Sequence, residues 1–114
     1  MNQTAKSDAS AVVLTTAGNK EEAVRITEAL VSAKLAACVQ FVTIDSYYFW
    51  EGEVQNDPEI LLLIKSLKGD YSMIEETIKA SHSYDVPEII QLDIVDGSAD
   101  YLSWIGDVTR RARN

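Results

Sequence analysis

The stretch that decides the fold is LAACVQFVTIDSYYFW, residues 35–50, which contains neither proline nor glycine. Its β-branched and aromatic residues are typical of β-strands, so it predicts one long strand. Such a strand spans roughly 50 Å if it is straight, since each residue adds about 3.4 Å. A compact domain of this size has a radius of gyration of about 13 Å and a diameter of about 35 Å. We therefore expect the strand to bend sharply or to project beyond its own core.

A hairpin continues from this strand. Residues 51–53, EGE, predict the turn because glycine adopts a positive φ at little steric cost. The chain returns through Val54 and through residues 59–66, EILLLIKS. Pro58 separates these two segments and predicts a bulge or an edge position, because proline donates no hydrogen bond to a ladder. The apolar run at 60–64 predicts a central strand that is covered on both faces, or on one face by a partner.

The rest of the chain repeats one pattern, in which a strand is followed by a glycine and then by Asn or Asp before a helix. The predicted elements are strands at 11–16 and 88–95, helices at 20–34 and 71–81, and a last helix after Ser98. This order predicts an α+β fold of the ferredoxin-like type, a split β-α-β sandwich with an extended β2–β3 hairpin and a short C-terminal helix. We expect one domain over 10–109, a flexible leader over 1–9 and a basic tail over 110–114. Asn19 and Glu22 match the capping-box pattern at the start of the first helix.

The composition is that of an acidic globular domain. The chain has 10 Lys+Arg and 18 Asp+Glu, a net charge of −8 and a pI near 4.5, which opposes nucleic-acid binding because phosphates attract a basic surface. No apolar run approaches the roughly 20 residues that a membrane-spanning helix needs, and residues 1–10 lack the apolar stretch of a secretion signal. Cys38 is the only cysteine, which excludes an intrachain disulfide. These features predict a cytoplasmic protein.

The far end of the hairpin is rich in aromatic residues. It carries four of the nine in the chain, Tyr47, Tyr48, Phe49 and Trp50. A projecting tip of this kind needs cover from another chain. We expect an oligomer assembled at sheet edges, with these four residues and Trp104 in the interface. The alternative is a bulged strand that folds back on its own sheet.

Several motifs resemble those of the CutA family. They are LAACV at 35–39, SY at 46–47, WEG at 50–52, Glu59, IK at 64–65, HSYDVPEII at 82–90 and YLSWI at 101–105. The resemblance covers residues 12–108 in the same order and at similar spacing. It implies a homotrimer of PII-like fold, a role in tolerance of divalent cations, notably copper, and a neighbouring copy as the partner of the long hairpin.

The chain departs from the family pattern at several positions. The segment at 38–50 is slightly shorter than in relatives and lacks their Pro-Gly. Ser83 stands where the family has proline, and Thr15 and Ser81 stand where some relatives have a thiol and a second histidine. The last departure removes metal-binding side chains, so we expect any copper binding to be weak.

The candidate metal ligands are His82 and Cys38, the only imidazole and the only thiol of the chain. Both groups bind copper in proteins. His82 lies among polar residues at the end of the second predicted helix, and its alternative role is structural, at the helix end or at an interface. Cys38 lies between Ala37 and Val39, where a buried, inert thiol is the more frequent outcome. No closely spaced set of ligands occurs, which excludes a closed structural zinc site within one chain.

A second candidate site surrounds the proline turn that follows His82. Tyr84, Asp85 and Glu88 offer a phenol and two carboxylates, which suit a small polar ligand or a hard or borderline cation. Lys65, at the end of an apolar strand, would supply positive charge to the same cleft for an anionic ligand. The alternative is that the proline sets a rigid turn and the acids are solvated.

No enzymatic mechanism is indicated by the motifs. Residues 17–20, AGNK, lack the arginine that the phosphate loop of acylphosphatases needs, and the chain has no P-loop pattern and no Ser-His-Asp set beyond the lone His82. Two hypotheses for the function remain. The first is a non-enzymatic trimer tied to divalent-cation tolerance, with weak copper binding and no obligatory cofactor. The second is a PII-like sensor or carrier that binds a small metabolite in the clefts between subunits.

Overall fold

The computed structural model describes residues 9–110, so the leader predicted at 1–9 and the tail predicted at 110–114 lie outside it except for Ala9 and Arg110. The elements, in chain order, are β1 (Ser10–Ala17), α1 (Lys20–Ser32), β2 (Cys38–Trp50), β3 (Glu53–Leu67), α2 (Tyr71–Ser81), β4 (Ile89–Asp93) and α3 (Ala99–Val108). A short 3-10 turn, Lys68–Asp70, precedes α2. Every predicted strand and helix is present, with ends that differ from the predicted ones by a few residues.

The four strands form one antiparallel sheet in the order β2-β3-β1-β4. Both α1 and α2 pack on one face of this sheet, against the central strands β1 and β3. The largest fully buried residues of this core are Val13, Ile26, Leu30, Leu62, Ile64, Ile74 and Ile78. The predicted α+β, ferredoxin-like sandwich is therefore confirmed.

The helices begin largely as their sequences predict. Asn19 caps α1, because its side-chain oxygen accepts a hydrogen bond from the backbone N–H of Glu22 at 2.8 Å. Ser98 caps α3 in the same way through the N–H of Tyr101 at 3.4 Å. The helix α2 differs, because Asp70 belongs to the preceding 3-10 turn and makes no side-chain cap bond to it. Its helical pattern nevertheless buries Ile74 and Ile78.

The hairpin of β2 and β3 is an uninterrupted ladder that projects from the body. Its register runs without a break from Cys38 opposite Lys65 to Trp50 opposite Glu53, and the described residues measure 54 × 25 × 20 Å. The predicted interruption at Pro58 is wrong, since β3 continues straight through it. The predicted edge position is right: β1 ends opposite Ile60, so β3 has no second neighbour at Pro58 and the missing N–H leaves no gap.

The second face of the sheet is only partly covered. Directly paired residues of neighbouring strands point to the same side, so Val42, Ile90 and Leu92 share the face opposite to α1 and α2. These three side chains are about half exposed, at 47%, 46% and 51%. The helix α3 packs near one end of this face, where Tyr101 contacts Lys65. We call this side of the sheet the open face.

Two glycine-to-alanine substitutions compare the backbone conformation of the hairpin turn with that of the helix α3. Gly52 has φ +78° and Gly106 lies inside α3, and an added Cβ would meet no atom within 4 Å at either position. Gly52→Ala should lower the free energy of unfolding by about 1 kcal/mol because of backbone strain. Gly106→Ala should raise it by about 1 kcal/mol because alanine favours helix. Chemical denaturation at one protein concentration measures both changes in the free energy of unfolding. Changes of the same sign would contradict the positive φ of Gly52 or the helical conformation of Gly106.

Candidate functional site

The site is built where the loop between β1 and α1 meets the segment that follows α2. His82 comes directly after α2, and its side chain is fully buried. The ring nitrogen Nε2 lies 2.6 Å from the carbonyl oxygen of Thr16, and Nδ1 accepts a hydrogen bond from the backbone N–H of Tyr84 at 3.1 Å. A carbonyl only accepts, so Nε2 carries the proton and the imidazole is neutral. Both nitrogens are occupied by backbone groups of the same chain.

Glu22 is the buried anion beside this histidine. One carboxylate oxygen accepts from the N–H of Gly18 at 3.2 Å, and the other accepts from the N–H of Ser83 at 2.7 Å and lies 3.7 Å from Nδ1 of His82. Burial alone would raise the pKa of Glu22, but the hydrogen bonds from Ser83 and Gly18 outweigh it and hold the pKa below its usual value. Glu22 thus ties together two loops that are distant in sequence.

Arg25 completes this junction from the next turn of α1. Its guanidinium donates two hydrogen bonds to the carbonyl oxygen of Ser81, at 3.2 and 3.1 Å, and lies 3.6 Å from Glu22. The arginine therefore binds the C-terminal end of α2, where unpaired carbonyl oxygens attract positive charge.

Tyr84 forms the outer wall of the site. Its hydroxyl donates to Glu59 at 2.8 Å, and its ring packs against the imidazole of His82 with centroids 4.6 Å apart. Partial burial and the adjacent carboxylate of Glu59 raise the pKa of Tyr84 well above its usual value, so the phenol stays protonated. A Cβ at Gly18, directly after β1, would lie 3.2 Å from the phenol oxygen, so a larger residue there would require Tyr84 to shift by a few tenths of an ångström.

The two acids that the sequence placed in the same cleft point into solvent. Asp85 and Glu88 are both exposed, and between residues 9 and 110 neither has a hydrogen-bond or ion-pair partner. They are carboxylates within four positions of Tyr84 in the sequence and are accessible to a ligand or a cation. Their role as ligands stays a prediction.

Lys65 belongs to a different cluster of the chain. Its ammonium donates to the side-chain oxygen of Gln40 at 2.8 Å, lies 3.5 Å from the hydroxyl of Tyr101 and sits 5.5 Å from the centre of that ring. Glu59, the partner of Tyr84, is six residues away along β3, which corresponds to roughly 20 Å. Within one chain, Lys65 and Tyr84 therefore do not line one cleft.

Cys38 and His82 are also apart. Cys38 is half-buried at the start of β2, opposite Lys65, whereas His82 contacts Thr16, which pairs with Leu61 further along β3. In the part of the chain that the structure describes, no three His, Cys, Asp or Glu side chains are placed to hold a metal ion. Metal binding at His82 or Cys38 stays a prediction.

The candidate interface residues are exposed in the single chain. Tyr47 and Phe49 are the most exposed, at 73% and 72%, and the other candidates are Tyr48, Trp50 and Trp104. Tyr48 donates to Asp57, and Nε1 of Trp50 donates to Glu51 at 2.9 Å. The polar ends of Tyr48 and Trp50 are therefore satisfied within the hairpin, while much of their ring surface is exposed.

The sequence did not assign a role in the site to three residues that build it, although Glu59 is one of the residues that carry the family resemblance. Glu22 appeared only as half of a capping box, yet its carboxylate reaches Gly18 and Ser83 instead of the N–H of Asn19. Thr16 and Glu59 contribute through a carbonyl oxygen and through a carboxylate on a long strand. The sequence offered one signal of a buried charge. Glu22 is a charged residue on the same face of α1 as the buried residues Ala23 and Ile26.

The fold and the motifs define a family. The family model described as CutA1 divalent ion tolerance protein matches residues 11–108. The chain belongs to this family. It is 44% identical over 99 residues to the divalent-cation tolerance protein CutA of Thermus thermophilus, covering 86% of this chain and 96% of that protein. It is 44% identical over 113 residues to the rice protein CutA 1, chloroplastic, covering 98% of this chain and 64% of that protein.

Solved structures support the same assignment. The crystal structure of CutA1 from Oryza sativa matches with a TM-score of 0.88 at 44% identity, covering 95% of this chain and all of that one. The periplasmic divalent cation tolerance protein CutA from Archaeoglobus fulgidus matches with a TM-score of 0.86 at 33% identity, covering 89% and 99%. The chain spans slightly less than two thirds of the full rice and Arabidopsis thaliana relatives.

The cytoplasmic location predicted from the composition is wrong, because the composition does not identify a compartment. The rice and Arabidopsis relatives are named chloroplastic, and the Archaeoglobus protein is described as periplasmic. A single cysteine excludes an intrachain disulfide but is compatible with several compartments, so it does not identify one. No helix within residues 9–110 is long and apolar enough to span a membrane.

Replacing Glu22 tests the junction. Glu22→Gln removes the charge and one of the two acceptor oxygens, so either Gly18 or Ser83 loses its partner and the free energy of unfolding should fall by about 1–3 kcal/mol. Glu21→Gln is the matched control, because Glu21 lies exposed in the same first turn of α1. Denaturant titration near neutral pH should show a loss in Glu22→Gln alone, and equal losses in the two variants would contradict the role of Glu22.

The lowered pKa of Glu22 predicts how the stability difference between wild type and Glu22→Gln depends on pH. The pKa of Glu22 in the folded chain lies below the ordinary 4.5, so its contribution is complete above that value and is lost as the pH falls through the folded pKa. The stability difference between wild type and Glu22→Gln should therefore shrink below about pH 4.5. Urea titrations across an acid pH series measure it, and a difference that grows in acid would contradict the prediction.

Proposed function

We propose that this protein acts as a homotrimer in tolerance of divalent cations, notably copper, without an enzymatic activity. The observation that supports this proposal is that the open face is only partly covered and that a long aromatic hairpin projects from the body. Membership of the CutA1 family supplies the link to divalent cations. Its PII-like trimeric plan would place copies of the open face against one another.

The open face supports self-assembly. Its apolar residues, including Val42, Ile90 and Leu92, form a surface that a soluble monomer rarely leaves exposed. The projecting hairpin adds Phe49 and Val54, which are more than two thirds exposed. Burial of these surfaces supplies the free energy needed to bring together chains that each carry a charge of −8.

Copper binding in this proposal is weak, and the site supports that. His82 is the only imidazole, and a metal at either ring nitrogen must displace Thr16 or Tyr84 from it. That displacement costs a hydrogen bond of about 1 kcal/mol and also opens a buried segment. The exposed carboxylates of Asp85 and Glu88 add a local negative potential that concentrates cations without a fixed geometry.

The second candidate is a PII-like sensor that binds a small metabolite between subunits. It is favoured by the wall of Tyr84 and Glu59, whose polar groups are preorganised beside an exposed segment. A neighbouring copy would close this wall into a cleft. The absence of a three-ligand metal cluster within residues 9–110 supports the same alternative.

The oligomeric state is the first test. Light scattering at micromolar concentration should give the mass of three chains of 12.6 kDa each. The trimer should persist or strengthen in high salt, because salt screens repulsion between acidic chains and leaves apolar burial intact. A monomer mass would contradict the proposal.

Trp50→Ala should weaken assembly if the ring is buried by a neighbour, whereas unchanged mass and melting temperature would place Trp50 outside the interface.

Copper titration is the second test. Calorimetry of wild type, His82→Ala and Cys38→Ser should show weak Cu(II) binding that is lost in His82→Ala and retained in Cys38→Ser. Because His82→Ala removes buried contacts, Cu(II) line broadening of the single imidazole NMR signal serves as an independent measurement. Binding that is unchanged in His82→Ala would overturn this ligand. Binding of metabolites but not copper by wild type would favour the sensor.

A further inference from the structure

The connection between β4 and α3 contains the one place in the chain where an Asp or Asn precedes a glycine, Asp96-Gly97. Both residues are exposed. Residues 95–97 make no backbone–backbone hydrogen bond with residues 9–110, since the neighbouring bonds belong to Ile94, which donates to Ser10, and to Ser98, which accepts from Leu102. The backbone of this segment is therefore fixed by neither a ladder nor a helix.

The side chain of Asp96 lies against the next peptide group. The backbone N–H of Gly97 donates to Oδ1 of Asp96 at 2.9 Å. Because Oδ1 is bonded to Cγ, this contact holds the amide nitrogen beside the carboxyl carbon. These are the two atoms that join when an aspartyl residue closes into a five-membered succinimide ring, so the native geometry is close to the one the ring closure needs. Glycine has no side chain to shield its nitrogen.

We propose that Asp96 is a site of isoaspartate formation and, once converted, a substrate for a protein carboxyl methyltransferase that acts on isoaspartate. The Gly97 nitrogen bonds to Cγ of Asp96 and loses its proton, and the carboxyl hydroxyl leaves as water. A second water then adds to the ring carbonyl that was the main-chain carbonyl of Asp96, and the bond from that carbon to nitrogen breaks.

The product is an isomer with a different main chain. The chain now runs through Cβ and Cγ of Asp96, and the former main-chain carbonyl is a free carboxylate. One water leaves and one enters, and nothing is oxidised or reduced. The reaction needs only water and is independent of the oligomeric state and of metal binding.

Isomerisation at this position acts on α3. The conversion lengthens the link to Gly97 by one carbon, directly before Ser98, whose hydroxyl caps the helix through the N–H of Tyr101. Gly97 also lies close to Leu102, because a Cβ on the glycine would be 3.3 Å from a methyl carbon of that leucine. A longer link cannot keep both contacts, so conversion loosens the first turns of α3.

The chain supplies its own control at Asp85. This aspartate is also exposed and follows α2 outside any helix or strand, but it precedes Val86, whose β-branched side chain shields the nitrogen that would have to attack. Asp96→Glu is the matched variant, because it keeps the charge while ring closure through the longer side chain forms a less favourable six-membered ring.

Methyl labelling of aged protein tests the site. Wild type is incubated in neutral buffer at physiological temperature, labelled with an isoaspartate methyltransferase and radioactive S-adenosylmethionine, and digested for mass spectrometry. Label should accumulate on the peptide that contains residue 96, should be lost in Asp96→Glu, and should appear several-fold faster in Asp96→Asn, which expels ammonia instead of water. An unlabelled residue 96, or equal labelling at Asp85, overturns the proposal.

Hydrogen exchange tests the effect on α3. The amides of residues 101–105 should exchange faster in aged wild type than in fresh protein, and aged Asp96→Glu should show no such change. Methyltransferase with unlabelled S-adenosylmethionine should reverse the effect, because the methyl ester loses methanol as the ring closes again and part of the ring opens to aspartate. Converted protein whose α3 amides exchange as slowly as in fresh protein overturns the coupling to the helix.

Discussion

The rest of the structure depends on the antiparallel ladder between β2 and β3, which is longer than the body that carries it. The ladder runs without a bulge from Cys38–Lys65 to Trp50–Glu53, and β1 supports it only as far as Ile60. Beyond that point the two strands have no third neighbour. Isolated two-stranded hairpins are at best marginally stable in water, so the outer half of the ladder needs contacts from outside its own sheet. This need is the physical reason for expecting self-assembly.

At the base of the ladder, one buried carboxylate organises the loops. Glu22 accepts hydrogen bonds from Gly18 and Ser83 and lies beside the neutral ring of His82. A buried charge without such partners would cost several kcal/mol, so the segment after α2 is held where it can satisfy this anion. Both ring nitrogens of His82 contact backbone groups in the same network. In the single chain the histidine therefore acts first as a structural residue, and a metal must compete with the backbone for it.

Charge is distributed along the molecule in an ordered way. The outer hairpin contains only acids, whereas basic residues from Lys65 to Arg110 lie on the body and are mostly paired there. Apolar burial would supply the affinity of an assembly, and charge complementarity would select one arrangement of it.

The sequence by itself determined the elements and their order, and it restricted the long strand to bending sharply or projecting. These follow from local patterns such as the uninterrupted run at 35–50, the cap at Asn19 and the apolar spacing of Ile74 and Ile78, which depend on neighbours within a few positions. The tertiary structure alone decided the straight passage through Pro58, the separation of Lys65 from Tyr84 and the junction at Glu22. Each depends on residues brought together from distant parts of the chain, as with Glu22 and Ser83, 61 positions apart. A local pattern contains no information about such a partner, because the partner is selected by packing.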